Sequence, residues 1–384
     1  MRFEVLLGDA GTLRDTEEFG LGVRELRRRV AAARWWHSGP GQPLPTPAAL
    51  LRFCPADALL VIPNPAFLVS DNLVSELIAV LEHEGMSCAM PADPRDTPAP
   101  WQIDYASRPG FDRYVARREA LPRRGAYTGQ DPWIYLVRRA ALAACVAQDA
   151  TVEWTQIPAR LGAATTIAQR AFVHSYANYQ TNSRTEMLDL LPANVATLLD
   201  VGGGEGGFGA AFLRLRNGRA VLVEMNPEAA ARAAAKGLVV HCVSFETLDE
   251  TETYDCVALL DVLEHLTDPL ATLQKAHRLL RPGGCVLLSV PNIGHWSVVR
   301  DLLEGEFYYL PVGILCNTHL RFFTRPGLER LLGDAGFTVS AWRNQTSPPP
   351  AEFADFLAAR PGEALRPDAA SLSTESFHVL ACRD

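Results

Sequence analysis

The sequence predicts a two-domain α/β protein whose C-terminal half is a doubly wound, mostly parallel sheet. Three observations carry this. Short apolar runs alternate with longer amphipathic stretches from about residue 197 onward, the rhythm of strand–helix–strand units. One apolar run leads directly into a glycine-rich turn, Gly202-Gly203-Gly204-Glu205-Gly206-Gly207, and then into an amphipathic stretch. Finally, 384 residues exceed what one domain of about 150 residues needs.

Composition narrows the class. Hydrophobic residues make up 48% and charged residues 21%, the balance of a globular chain. No apolar run is long enough to span a membrane. The opening MRFEVLLGDAGTLRDTEEF meets acids after one short apolar stretch and lacks a basic leader, so a cytoplasmic location is expected. Net charge is −8, and the basic clusters 24–29, 117–124 and 214–219 alternate with apolar residues. They read as solvated helix faces, which argues against a nucleic-acid partner. The eight cysteines form no C-x-x-C pair and read as reduced, mostly buried thiols, so no metal is expected.

In the N-terminal part, DALLVIPN (57–64) is a buried-strand run. The segment 69–85 is a helix that Ser70 or Asp71 is expected to cap. MSCAMPAD (86–93) is the next strand, and 133–147 begins as a strand and becomes a helix. Periodicity fails over 150–165, so the domains are expected to be 1–155 and 156–384.

The second pattern is clearer. TLLDVGGG (197–204) is a strand entering the glycine turn, and 208–216 is a helix. RAVLVEMNP (219–227) is a strand ending in an acid. The helix after it has Asn226 as N-cap, Pro227 in its first turn and Gly237 as its stop. LVVHCVSF is a third strand and YDCVALLDVLEHL (254–266) a fourth. A helix capped by Asp268 runs to Pro-Gly-Gly, followed by CVLLSVPN (285–292) as a fifth strand. The stretches 335–342 and 376–384 read as two closing strands. Ligands of such sheets bind beyond the carboxyl ends of the strands, where strand order reverses.

Gly202, Gly204 and Gly207 fit G-x-G-x-x-G, and Glu224 lies where a ribose-binding acid is expected, for NAD or for another nucleoside. Asp200, Asp261 and Glu264 make the strand ends acidic. That opposes a pyrophosphate and suits a cationic ligand such as a sulfonium.

On these residues the sequence resembles the class I S-adenosyl-L-methionine (SAM)-dependent methyltransferases, which have a Rossmann-like sheet. LLDVGGGEGGFG, VEMNP, LLDVLEHLTDP and LRPGGCVLLSVPN arrive in the order of that family's motifs. The resemblance runs from about Tyr176 to the C-terminus. YANYQTNSRTEMLDLLP, PNIGHWSVVRDLLEGEFYY and THLRFFT resemble a bacterial branch often fused to glycosyltransferases. It implies SAM as cofactor, with Asp200, Gly202 and Gly204 shaping its amino-acid pocket. Glu224 would take the ribose, Met225 would flank the adenine, and Ser244 and Phe245 would hold it by a hydroxyl and stacking. Asp261 would line the mouth, and Tyr179 and Arg184 would close over the SAM carboxylate. His295, His265 and His319 are the candidate general bases, each also readable as structural. Tyr308 and Tyr309 read as packing residues on a lid helix. The expected acceptor is a hydroxyl or amine of a sugar, glycan or secondary metabolite, and a homo-oligomer is left open. The N-terminal part faintly resembles a GT-A glycosyltransferase with Pro63-Asn64-Pro65 in place of its metal-binding acids, which implies acceptor or partner binding.

Overall fold

The computed structural model describes residues 2–8, 34–37, 44–63, 67–94, 105, 107–175, 183–216, 218–249, 251–310, 313–359 and 368–383. The chain divides into two compact units, Met1–Ala177 and Asn178–Asp384.

The first unit is a mixed sheet. Its strands are β1 (Phe3–Leu7), β2 (Arg34–His37), β3 (Ala58–Ile62), β4 (Phe67–Val69), β5 (Cys88–Ala92), β6 (Arg124–Ala126), β7 (Tyr135–Arg138) and β8 (Thr165–Ser175). They lie in the order β2-β1-β3-β7-β5-β8-β4, with β6 paired to β8. β7 runs antiparallel to both β3 and β5. Helix α1 (Leu73–Leu81) buries Leu73, Leu77, Val80 and Leu81 against this sheet. Its N-cap is Asn72, not Ser70 or Asp71. The Ser70 hydroxyl instead accepts from the Phe172 N–H at 3.0 Å, and Asp71 pairs with Arg108 at 2.8 Å. The expected strand and helix over 133–147 form as β7 and α2 (Arg139–Gln148).

Two expectations change here. The boundary lies at 177/178, because Thr165–Ser175 is a strand of the first sheet, parallel to β5 and antiparallel to β4 and β6. The basic cluster 117–124 is not wholly solvated. Arg118 is buried, donates to the Gln169 carbonyl and lies 4.8 Å from the Phe172 ring centre. The cluster 24–29 and Asn64-Pro65 lie outside the described residues.

The second unit has the doubly wound sheet. Its strands are β9 (Thr197–Val201), β10 (Arg219–Val223), β11 (Val239–His241), β12 (Tyr254–Leu260), β13 (Leu280–Pro291), β14 (Phe337–Thr346) and β15 (Thr374–Arg383). The order is β11-β10-β9-β12-β13-β15-β14. β9 to β13 are parallel, and β15 runs antiparallel between β13 and β14. The chain winds outward from β9 to β11, then returns to place β12 on the other side of β9, so strand order reverses between β9 and β12. Along β12 the side chains alternate. Val257 and Leu259 enter the core on one face, Cys256 and Ala258 the core on the other. That explains the unbroken apolar run, since both faces are covered.

The crossover helices begin as their caps dictate. The Asn226 side chain accepts from the Glu228 and Ala229 N–H groups ahead of α4 (Pro227–Ala235), numbered after α3 (Gly207–Leu215). Asp268 accepts from Ala271 at the start of α5 (Pro269–Leu279). Pro282-Gly283-Gly284 belongs to β13, not to the end of that helix.

Leu259 is fully buried in the central strand pair. Leu259→Ala is expected to lower unfolding free energy by about 2–5 kcal/mol, read from urea denaturation of the second unit's transition.

Candidate active site

The glycine turn closes over the end of β9. The Gly202 N–H donates to the Val223 carbonyl at 2.8 Å, tying the turn to β10. The backbone then passes through positive φ at Gly202, Gly204 and Gly206, and Gly206 is the N-cap of α3. A Cβ on Gly203 would stand 2.4 Å from the Asp200 Oδ2, so the turn lies directly on that carboxyl. Asp200 is accordingly only 1% exposed, and its Oδ2 has no hydrogen-bond partner. Burial pushes its pKa up to about 7; the Gly209 N–H opposes this and the Glu224 charge adds to it. Asp200 therefore sits beneath the glycine turn. It is not the exposed anion the sequence suggested.

The acid that faces outward is Glu224, at the end of β10 and half-buried. Its Oε2 accepts from the Gly204 N–H at 2.9 Å and its Oε1 from the Asn226 N–H at 2.8 Å. Met225 beside it is 66% exposed. Ser244 is partly exposed and hydrogen-bonds Thr247. Phe245 contradicts its expected role. It is buried in the core, and the Lys275 ammonium lies 5.1 Å from its ring centre, so it offers no open face to an adenine.

Asp261 and Arg184 are the two non-glycine residues with positive φ among those described. Such conformations cost on the order of 1–3 kcal/mol each and persist where their surroundings fix them. Here the fixing is mutual. The Arg184 Nε donates to the Asp261 Oδ2 at 2.7 Å, and a second guanidinium nitrogen meets the same oxygen. The Ser289 hydroxyl donates to the Asp261 Oδ1 at 2.7 Å. Arg184 thus holds Asp261 at the mouth and does not stand alone as a carboxylate clamp. Tyr179 lies outside the described residues.

The three histidines separate. His295 is the N-cap of α6 (Trp296–Leu303), with Nδ1 2.8 Å from the Ser297 hydroxyl and Nε2 donating to the Ser347 carbonyl at 3.2 Å. Burial holds its pKa down to about 4. Both ring nitrogens are engaged in fixing the loop after β13, which removes His295 as a general base. Trp296 is buried and donates to the same carbonyl. His265 and His319 pair, their rings edge to face at 4.8 Å. The His265 Nδ1 meets the Thr318 carbonyl at 3.2 Å and the His319 Nδ1 the Ile314 carbonyl at 2.9 Å. Burial first and the neighbouring His265 second push His319 down to about 4, far below the near-neutral value that suits a base.

Two groups acquire importance that sequence reasoning did not give them. Ser289 orients Asp261; its only signal was a hydroxyl near the end of the fifth strand. Glu264, read in the sequence only as an acidic strand-end residue, is 1% exposed, and its Oε2 has no hydrogen-bond partner among the described residues. Burial, then Asp261, drive its carboxyl well above the usual range. Tyr308 and Tyr309 are exposed and lie beyond α6, not on a lid helix.

Comparison with known proteins fits this geometry. Residues 173–341 match the family described as "Methyltransferase domain". That stretch of the chain is similar to a methyltransferase domain and makes up less than half of the sequence. Among curated proteins, a ubiquinone biosynthesis O-methyltransferase of Bradyrhizobium sp. (strain ORS 278) is 30% identical over 155 residues. That match covers 37% of this chain and 58% of the relative. The enzyme of the same name from Xanthomonas oryzae pv. oryzae is 28% identical over 176 residues, covering 41% and 71%. Among solved structures, magnesium protoporphyrin IX methyltransferase from Synechocystis PCC 6803 superposes with a TM-score of 0.38 at 16% identity, covering 54% of this chain and 84% of that one. A possible histamine N-methyltransferase from Thermotoga maritima gives 0.36 at 18%, covering 52% and 87%.

The residues present fit the donor. An outward carboxylate pre-set by two backbone N–H groups suits vicinal ribose hydroxyls, and the glycine turn leaves backbone open to close approach.

Because the folded-state pKa of Asp200 lies above its ordinary value, the fold binds a proton that the unfolded chain releases. Stability from this group is full at low pH and falls as pH rises from about 4 to about 7. Asp200→Asn has no such proton. Its stability relative to the parent is expected to climb over that interval by on the order of 1–4 kcal/mol and stay level above it, measured by denaturant unfolding from about pH 4 to pH 8.

Proposed function

We propose that this protein transfers a methyl group from SAM to a hydroxyl of a small acceptor, with Glu224 as the residue that seats the donor. The carrying observation is the Glu224 carboxylate, locked by the Gly204 and Asn226 N–H groups at the strand end next to the glycine turn. SAM supplies a methyl group on a sulfonium with a neutral leaving group. The chain's own contribution is placement, which can be worth about 7–11 kcal/mol. Glu224 accepts from the ribose hydroxyls, exposed Met225 covers the adenine, and Asp261, held by Arg184 and Ser289, stands at the carboxyl end of β12.

The acceptor side is supported by the surface around Leu320. Leu320 is exposed, and its N–H donates to the Glu264 carbonyl. Phe307 and Tyr309 are exposed and contact the Phe322 ring. An aromatic or sugar ring could lie on such a surface, with its hydroxyl toward the carboxyl end of β12. The curated relatives are named O-methyltransferases, which favours oxygen over nitrogen. We place the first unit, with its GT-A-like resemblance, as a binding unit for the acceptor or a partner. A bifunctional sugar transferase would need carboxylates where Pro63-Asn64-Pro65 stands.

Glu224→Ala is expected to weaken SAM affinity at least tenfold, about 1.4 kcal/mol, with the thermal unfolding midpoint little changed; titration calorimetry reads both proteins. Equal affinity in parent and variant would remove Glu224 from the site, and NAD binding in place of SAM would end the methyl-transfer reading. Incubation with labelled SAM and a panel of phenols, sugars and amines is expected to label a hydroxyl acceptor. SAM that binds but never turns over would favour a non-catalytic scaffold. Hydrolysis of a nucleotide sugar with Mn²⁺ would restore the bifunctional reading.

A further inference from the structure

We propose that Glu264, His265 and His319 form a binding site for one divalent transition-metal cation, at the acceptor side of the methyl-transfer centre. One ligand atom of each residue lies within 4.8 Å of the others. Glu264 and His265 come from the short turn after β12, and His319 from a loop more than fifty residues later. Backbone bonds hold the two segments in register. The Leu320 and Arg321 N–H groups both donate to the Glu264 carbonyl, at 2.7 and 3.0 Å.

The donor set is dressed as metal ligands usually are. Each histidine places its Nδ1 on a backbone carbonyl, Thr318 for His265 and Ile314 for His319. That bond fixes the tautomer and orients the Nε2 lone pair, the common outer-shell arrangement of metal-bound imidazole. Glu264 supplies the independent observation. Its side chain is 1% exposed and its Oε2 has no hydrogen-bond partner among the described residues. A buried carboxylate oxygen without a partner is costly, and a cation between it and two imidazoles removes the deficit.

Two nitrogens and one oxygen select a borderline cation, Zn²⁺ first and Mn²⁺ or Co²⁺ after it, over the all-oxygen preferences of Ca²⁺. Tetrahedral ligands of one ion at about 2.1 Å stand about 3.4 Å apart, so binding draws the group together by about an ångström or somewhat more, within side-chain rotation. Three protein ligands leave a coordination position open. It lies at the carboxyl end of β12, near Asp261. There an acceptor hydroxyl could bind the ion and lose its proton to water more readily, a task that His295, with both ring nitrogens engaged, does not perform. The catalytic role rests on the methyl-transfer reading; the binding of the ion does not. The site also departs from the sequence expectation that no metal is bound.

The test uses the full chain, stripped with chelator and titrated with Zn²⁺ alone, then with Co²⁺ alone followed by visible absorption. One equivalent is expected to bind, with d–d bands of a nitrogen-containing, low-coordinate Co²⁺ site. Glu264→Gln and His319→Ala are each expected to weaken Zn²⁺ at least tenfold while SAM titrates as in the parent. Absence of stoichiometric binding overturns the proposal, as does unchanged affinity in both folded variants, which would place the ion on surface groups such as exposed Cys242. If a variant fails to fold, the parent's Co²⁺ spectrum decides alone, an octahedral all-oxygen spectrum counting against the site. Zn²⁺ bound without SAM binding would sink the methyl-transfer reading and leave the metal site standing; SAM bound without Zn²⁺ would do the reverse.

Discussion

The reversal of strand order between β9 and β12 is the constraint on which the second unit's chemistry depends. Two parallel strands whose crossover helices lie on opposite faces leave a crevice at their carboxyl ends that neither helix can cover. Every polar group of interest stands at that edge. Asp200 is the last residue but one of β9, Glu224 follows β10, Asp261 and Glu264 follow β12, and Ser289 lies two residues before the end of β13. The backbone there is correspondingly irregular, with glycine in the left-handed region on one side and the mutually braced Arg184 and Asp261 on the other.

The acids divide by environment, and that division sets their roles. Asp200 and Glu264 are buried with an unpartnered oxygen each, and both titrate above the ordinary range. Glu224 accepts from the Gly204 and Asn226 N–H groups, and Asp261 is matched by a guanidinium. Asp200 acts through the loop above it, since the Gly203 backbone rests on its carboxyl and any side chain there would collide with it.

Much of this was legible in the chain. The spacing of β9 to β13 followed from apolar runs, and the starts of α4 and α5 from Asn226-Pro227 and Asp268-Pro269, because capping is local chemistry. The misses share a cause. Periodicity fails over 150–165 and does not show that the strand beginning at Thr165 joins the first sheet, so the boundary came out too early. Residue type shows that His295 can titrate but not that Ser297 and Ser347 occupy both its nitrogens. Phe245 can stack, but its ring turned inward under Lys275. The pairing of His265 with His319, and the burial of Glu264 beside them, depend on two distant loops meeting, which no local pattern encodes.

The first unit has its own core and its own mixed sheet, with an antiparallel β7 between β3 and β5. Its role depends on the acceptor, whereas the account of the second unit depends on the donor. A crystal of the full chain grown with S-adenosylhomocysteine tests that account most directly. The ribose hydroxyls are predicted within hydrogen-bond distance of the Glu224 carboxylate, with the homocysteine tail over the glycine turn. A ribose seated elsewhere, or density for the product absent from the carboxyl ends of β9 and β10, would contradict it.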